Sequence, residues 1–225
     1  MANIAIYATK GFEYLLILGF LGVFTAFYLY FTSRRFEPIR AAVGRGLESL
    51  VDWFRVPEGV LFHQGHTWAQ PDGNEPGVVR VGLDDFAQKM VGKADKVTLA
   101  DIGSKIEQGE KGWSLRVGNK SIDMLSPVSG EIVAINKAFQ ENSADPYDGG
   151  WIYKVKPRNF SREIKNLLSG KLARKWMEEV VEKLRMKMSP DLGVVYQDGG
   201  TPVAGIARII DETNWDKLAR EFFLT

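Results

Sequence analysis

The sequence contains no cysteine, and this absence excludes several kinds of chemistry at once. Disulfides, thiolate metal sites and a cysteine nucleophile are all impossible. The formal net charge is only +1, so there is no global field of one sign to attract nucleic acid or an acidic partner. Aromatic and basic residues are not interleaved on predicted strands in the way that stacks bases, which also disfavours nucleic acid.

Recognisable catalytic and phosphate-binding motifs are also missing. No Gly-x-Gly-x-x-Gly fingerprint is present, and neither Gly149-Gly150 nor Gly199-Gly200 precedes a strand-to-helix phosphate loop. Five aspartates lie in predicted turns, where this residue commonly bonds its own backbone. We therefore interpret them as turn residues and predict no catalytic residues: Asp84, Asp85, Asp145, Asp148 and Asp198.

The chain has two histidines, His63 and His66. In a strand-rich segment a spacing of three places them on opposite faces, and no third ligand is evident nearby. The sequence therefore predicts no metal site, and His66 is expected to be a packed or capping residue.

One long hydrophobic run is present, from Tyr14 to Phe31, and it carries no charge. At about 1.5 Å per residue its eighteen residues would give roughly 27 Å of helix, enough to span a bilayer. Arginines follow the run, so the positive-inside rule places the C-terminal part in the cytoplasm and the N-terminus outside. We expect a single-pass anchor in the inner membrane, with a buried helix of a soluble protein as the alternative. The following segment, Phe36 to Arg55, has apolar residues at helical spacing and predicts an amphipathic connector helix.

From Leu61 to Lys156 the sequence consists of short apolar runs separated by glycines, a pattern typical of a small β-barrel or sandwich. Ser161 to Met188 predicts one long helix, or two broken near Ser169-Gly170, with Ser161 as its cap. After Pro190 we expect a hairpin, with strands at Val194 to Tyr196 and Val203 to Ile210, and then a short helix carrying Trp215, Leu218 and Phe222. The apolar C-terminus must be buried on its own barrel or on a partner.

Several motifs in this middle region resemble the glycine cleavage H-protein family. Ser126 to Val133 resembles its Ser-Pro-Val-Ser-Gly motif, and Asp145 to Ile152 resembles a second family segment. His66-Thr67-Trp68 and Val79 to Gln88 also match in order. The resemblance implies a lipoyl-type domain, in which a lysine at the tip of a hairpin carries lipoate.

The position that the resemblance assigns to this lysine is Asn119, eight residues before Pro127. Gly118-Asn119 lies between alternating apolar positions and predicts a two-residue hairpin turn. Lys120 comes one residue late, and a shift of one position in a strand turns a side chain to the other face. Arg116 stands where the family has a glutamate. We therefore expect no cofactor, with lipoate on Lys120 as the alternative.

The expected fold is mainly β with added helices, in four parts. They are an anchor segment at 1–33, an amphipathic connector at 34–59, an H-protein-like domain with its helix at 60–188, and a hairpin and helix at 189–225.

Three functional hypotheses follow. The leading one is a non-catalytic, non-lipoylated subunit of a larger membrane complex, with a bioenergetic or redox complex as the expected host. The second is a membrane-tethered carrier lipoylated at Lys120. The third, a barrel that binds a small molecule as an enzyme, has the least support in the sequence.

Overall fold

The computed structural model describes residues 14–28, 53–139, 145–188 and 204–225. The chain divides into two compact units, Met1–Glu48 and Ser49–Thr225. In the first unit, residues 14–28 form a helix, α1, whose side chains are all exposed. Its exposed large side chains include Leu15, Phe20 and Val23, each about 70% accessible.

The membrane-spanning helix predicted over Tyr14 to Phe31 is not found. Helix α1 is described as far as residue 28, and positions 29–31 of the prediction lie outside the described residues. Nowhere in the described ranges is there a helix with the length and apolar character needed to cross a membrane.

The second unit is built from short strands and helices. The strands are β1 Leu61–His63, β2 Thr67–Pro71, β3 Val79–Leu83, β4 Lys96–Leu99, β5 Lys105–Ile106, β6 Lys111–Val117, β7 Lys120–Leu125, β8 Gly130–Ile135 and β9 Trp151–Pro157. The helices are α2 Asp85–Val91, α3 Phe160–Glu163 with a 3-10 turn Ile164–Asn166, α4 Gly170–Lys187, α5 Ile206–Ile210 and α6 Trp215–Phe223.

The strands form two antiparallel sheets. One has the order β1-β2-β3-β9-β8-β5, and the other has the order β4-β6-β7. They share a core, in which Trp113 of β6 meets Tyr153 of β9 edge to face at 5.4 Å. The Tyr153 hydroxyl lies 3.1 Å from Ser126 Oγ. Burial raises the pKa of Tyr153, so this phenol stays protonated. The short strands predicted for Leu61 to Lys156 are confirmed, except that Asp85–Val91 forms helix α2.

A buried polar junction joins the first hairpin to α2. His66, in the turn between β1 and β2, has a positive φ of 60°. Its Nδ1 lies 2.7 Å from Asp84 Oδ2, and both residues are almost fully buried. The other oxygen of Asp84 accepts from Ala87 N at 2.7 Å and so caps α2. The His66 ring stacks on Phe86 at 4.3 Å and packs on Trp176 of α4 at 4.7 Å. The prediction of a packed His66 is confirmed.

The predicted connector helix lies largely outside the described residues. Its last residues, from Trp53 to Arg55, are described and are not helical. They are instead tied to α2, since Arg55 N donates to Asp85 Oδ2 at 2.8 Å and Phe54 packs on Phe86 at 4.9 Å. These tertiary contacts hold residues 53–55 in a non-helical conformation.

The predicted helix from Ser161 to Met188 is broken near Ser169-Gly170, which was one of the two alternatives that the sequence left open. Helix α4 begins at Gly170, which has a positive φ of 51°. The predicted cap at Ser161 is wrong, because α3 begins one residue earlier with Asn159 at its N-cap position. The buried side of α4 carries Ala173, Met177, Val180, Val181 and Leu184.

The predicted strand at Val203 to Ile210 is wrong, because Ile206–Ile210 is a helix. Gly205 adopts a φ of 88° before it and donates its N–H to Lys89 O at 2.8 Å. Burial of Ile206 overrides the strand preference of its β-branched side chain. The partner strand, Val194 to Tyr196, lies outside the described residues. The predicted last helix is confirmed as α6, and Phe222 and Phe223 bury themselves on the chain's own barrel.

We expect Gly130→Ala to destabilise the domain by about 2–3 kcal/mol. A Cβ at Gly130 would lie 2.3 Å from Lys156 O and 2.6 Å from Val155 Cγ1, within the β8–β9 pairing. Urea unfolding followed by tryptophan fluorescence measures the loss. Gly73→Ala is the matched control, since nothing lies within 4 Å of its Cβ. Equal midpoints for the two variants would contradict the close approach.

We expect Asp84→Ala to cost about 3–5 kcal/mol, because it leaves His66 buried without its partner and uncaps α2. Asp148→Ala is the control, because Asp148 is exposed. The two free energies of unfolding, from the same denaturant series, should differ by most of that amount. A loss below 1 kcal/mol for Asp84→Ala would show that the junction is dispensable.

Candidate functional site

The predicted hairpin is present between β6 and β7. Val117 pairs with Lys120, which leaves Gly118 and Asn119 as a two-residue loop. Gly118 has a φ of 62°, the positive value that a type II′ turn requires at its first loop residue. Both loop residues are exposed. The residue at the exposed tip is thus Asn119, whose carboxamide cannot be acylated as a lysine amine can.

Two side chains hold the backbone of this tip. Asp95, from the loop before β4, accepts from Gly118 N at 2.6 Å. Arg116 Nε donates to Gly118 O at 3.2 Å. The loop therefore has a fixed backbone instead of a loosely tethered one.

Lys120 is bound by the C-terminal segment. Its ammonium donates to the carboxylate of Asp216 in α6 and to the carbonyl oxygen of Thr213 just before that helix. The same nitrogen lies 5.9 Å from the centroid of the Trp215 ring. A second strand-to-helix contact is close by, because Arg220 donates to the carbonyl oxygen of Ser121. We call these contacts, made by Lys120 and Ser121 to Thr213, Trp215, Asp216 and Arg220, the C-terminal clasp.

Electrostatics favour the clasp. The hydrogen bond from Lys120 lowers the pKa of Asp216 below its ordinary value of 3.8. Backbone hydrogen bonding lowers the pKa of Asp211 in the same way, and its Oδ1 accepts from Asn214 N at 2.8 Å. Asp211 thereby shapes the turn that presents Thr213 O to Lys120.

The other candidate residues lie elsewhere and have structural roles. His63 Nδ1 accepts from Gly65 N at 3.0 Å, and burial lowers the pKa of His63, which keeps the ring neutral. Asp85 accepts from Lys89 at 2.8 Å. Asp145 accepts from Tyr147 N at 3.0 Å, which is the predicted turn geometry. Asp198 lies outside the described residues. Within the described ranges, no group of three His, Cys, Asp or Glu residues is placed to hold a metal ion.

A cavity of about 500 Å³ lies between α4 and α6, with His66 in its lining. The His66–Asp84 pair supplies two parts of a hydrolytic triad, but the described lining residues include no serine, threonine or cysteine nucleophile. Lys187 and Glu221 pair with each other at 2.8 Å at its rim. This geometry does not add support to the enzyme hypothesis.

Sequence reasoning missed Asp216, Thr213 and Asp95, the residues that fix the hairpin. Asp216 is 96 residues away from Lys120, so no local pattern connects them. The one available signal was an acidic residue in the first turn of a predicted helix, which is ordinarily explained by the helix dipole.

We expect Asp216→Asn to lower the melting temperature by about 1–3 °C at pH 6. The pKa of Asp216 is lower in the folded than in the unfolded chain, so its ion pair stabilises the fold fully above pH 3.8. That contribution is lost as the pH falls through the lower, folded-state pKa. Melting curves of wild type and variant should therefore converge toward pH 2. Glu212→Gln, at an exposed neighbour, should change neither curve. A pH-independent difference would exclude an ion pair.

The middle region of the chain is similar in sequence to known proteins. The sequence model of the family described as "Glycine cleavage H-protein" matches residues 60–180. The chain is 37% identical over 118 residues to the glycine cleavage system H protein of Hydrogenovibrio crunogenus, covering 51% of this chain and 89% of the relative. A probable H protein of Thermococcus gammatolerans is 30% identical over 131 residues, covering 56% and 96%. The crystal structure of the Mycobacterium marinum H protein has 25% identity and a TM-score of 0.45, covering 56% and 98%. Because the family model matches more than half of the chain, this protein belongs to the glycine cleavage H-protein family.

Proposed function

We propose that this chain is a lipoyl-free member of the H-protein family that acts as a structural or assembly subunit of a larger membrane complex. The observation that carries the proposal is the state of the hairpin. Asn119 stands at its tip, and the amine of Lys120 is bound by Asp216 and Thr213. The hairpin is retained, but its tip carries no lysine to which a lipoyl arm could be attached. The nearest lysine amine, that of Lys120, is bound by Asp216 and Thr213.

The chemistry of amide formation explains why the clasp opposes modification of Lys120. An amine must be free to approach an activated acyl group, whereas the Lys120 amine is held in hydrogen bonds to Asp216 and Thr213. The side chain of Lys120 is 27% exposed, so a modifying enzyme would have to displace α6 to enclose it. An amine that is hydrogen-bonded and covered by a helix is a poor acyl acceptor.

The C-terminal residues of the clasp lie outside the segment that matches the family model. The family match ends at residue 180, and the residues that bind Lys120 are Thr213, Trp215 and Asp216. The C-terminal segment thus binds Lys120, the lysine that lies closest to the tip of the hairpin. This favours a fixed structural role over a swinging carrier.

The exposed apolar helix α1 supports the membrane part of the proposal. Within residues 14–28 every side chain is exposed, and the large apolar ones are more than half accessible. An isolated helix of this composition lowers its free energy by burial in lipid or against other apolar helices. We propose that this segment holds the subunit in the inner membrane with its barrel on the cytoplasmic side.

The test is the intact mass of the chain, extracted from its native membrane in mild detergent together with its stoichiometric partners. We expect the mass of the unmodified chain and at least one partner at constant ratio. An added lipoyl mass that fragmentation places on Lys120 would overturn the proposal and make the protein a tethered lipoyl carrier. Recovery of the chain alone in the soluble fraction would overturn the complex and the membrane location.

A second measurement addresses the clasp directly. We expect an amine-acylating reagent at pH 8 to label Lys120 at least several-fold more slowly than the exposed Lys137, as quantified by peptide mass spectrometry. Asp216→Ala should raise the rate at Lys120 toward that of Lys137 and leave Lys137 unchanged. Equal rates at the two lysines in the wild type would show that the amine is free.

A further inference from the structure

Two cationic side chains face each other beside the hairpin tip. Lys96 of β4 and Arg116 of β6 are direct partners in the antiparallel register, and both are exposed. Side chains of such partners have Cβ atoms about 4.5–5.5 Å apart, and like charges directly opposite each other destabilise a sheet. The fold therefore retains an unfavourable pair, which we call the cationic pair.

The cationic pair has no ion-pair partner of its own among the described residues. The ion pairs of the described residues all use other cations, and none includes Lys96 or Arg116. The acidic residues nearest along the strands are used otherwise. Asp95 accepts from Gly118 N, and Asp123 is held by Lys111 at 2.9 Å and by Ser114 at 2.7 Å.

The surface around the cationic pair is also rigid. Asp95 N donates to Arg116 O at 2.8 Å, and the side chains of both residues hold Gly118. On the opposite strand, Lys120 is fixed by the C-terminal clasp. A preorganised surface loses little conformational entropy on binding, so its charges contribute more fully to affinity.

We propose that the cationic pair is the docking surface for an acidic segment of a partner protein subunit. The Arg116 guanidinium offers a planar fork for one carboxylate, and the Lys96 ammonium offers a point charge for a second. Two carboxylates would remove the like-charge repulsion on binding. The inference rests on the proposed function, because it names where the partner of that subunit binds.

The size of the patch favours a protein over other polyanions. Nucleic acid binding typically uses about 6–10 phosphate contacts, and anionic membranes are bound by clusters of about 4–8 basic residues. Here two cations stand together, with Asp95 directly before Lys96 and a chain net charge of +1. One or two carboxylates of a protein match this number.

The test uses the full-length chain in its native membrane complex. Zero-length carbodiimide cross-linking, which joins amines to carboxylates, should connect Lys96 to an aspartate or glutamate of a stoichiometric partner. Lys96→Glu and Arg116→Glu should each reduce partner retention at 150 mM NaCl by about tenfold. Each should also raise the melting temperature of the isolated protein by about 1–3 °C, because the like-charge pair becomes an attractive one. Lys137→Glu is the matched control at another exposed lysine and should leave retention unchanged.

Stability rising while binding falls would support the docking surface, since a misfolded variant would lose both. Full retention of partners by Lys96→Glu and Arg116→Glu, with an unmodified chain mass, would overturn the inference and leave the proposed function standing. Cross-links to the partner that involve other lysines of this chain and not Lys96 would overturn it as well. Equal wild-type binding to phosphatidylglycerol vesicles or single-stranded DNA would also overturn it. A lipoyl mass on Lys120, or no partner for the wild type, would remove the proposed function and this inference together.

Discussion

The buried pair of His66 and Asp84 is the contact on which the arrangement of this domain depends. It joins the first β-turn to the N-terminus of α2, and the imidazole ring contacts Phe86, Trp176 and, at 5.8 Å, Phe223. Three helices thereby meet one ring. Buried polar groups of this kind are tolerated only with their hydrogen-bond partners in place, so the two residues fix each other's conformation, including the positive φ of His66.

That arrangement explains how a segment outside the shared family domain becomes part of the same core. Phe223 is fully buried against the His66 ring, and its carbonyl oxygen comes within 3.0 Å of the Cβ position of Gly65. Once this end of α6 is seated, the other end lies over β7 and brings Asp216 to Lys120. The state of the hairpin is thus coupled by one short helix to the packing of the core.

The parts of the structure that follow from local rules were predictable from sequence. The Gly118-Asn119 turn, the break at Gly170 and the helix carrying Trp215 each have a pattern within a few residues. Residues at Ile206–Ile210 have the β-branched composition of a strand and form a helix because α2 offers the Lys89 carbonyl to Gly205. The C-terminal clasp could not be predicted from the sequence either. It pairs residues almost a hundred positions apart, and the spacing of residues in one sequence does not reveal a contact over that distance.

The distance along the chain between Lys120 and Asp216 has a consequence in time. A chain is synthesised from its N-terminus at about 5–20 residues per second, so the hairpin is made roughly 5–20 s before the helix that binds it. During that interval the β6–β7 hairpin can pair, while the amine of Lys120 has no carboxylate from α6 to meet. Newly made and mature molecules therefore differ in the availability of the same side chain, and completion of the C-terminus ends that difference.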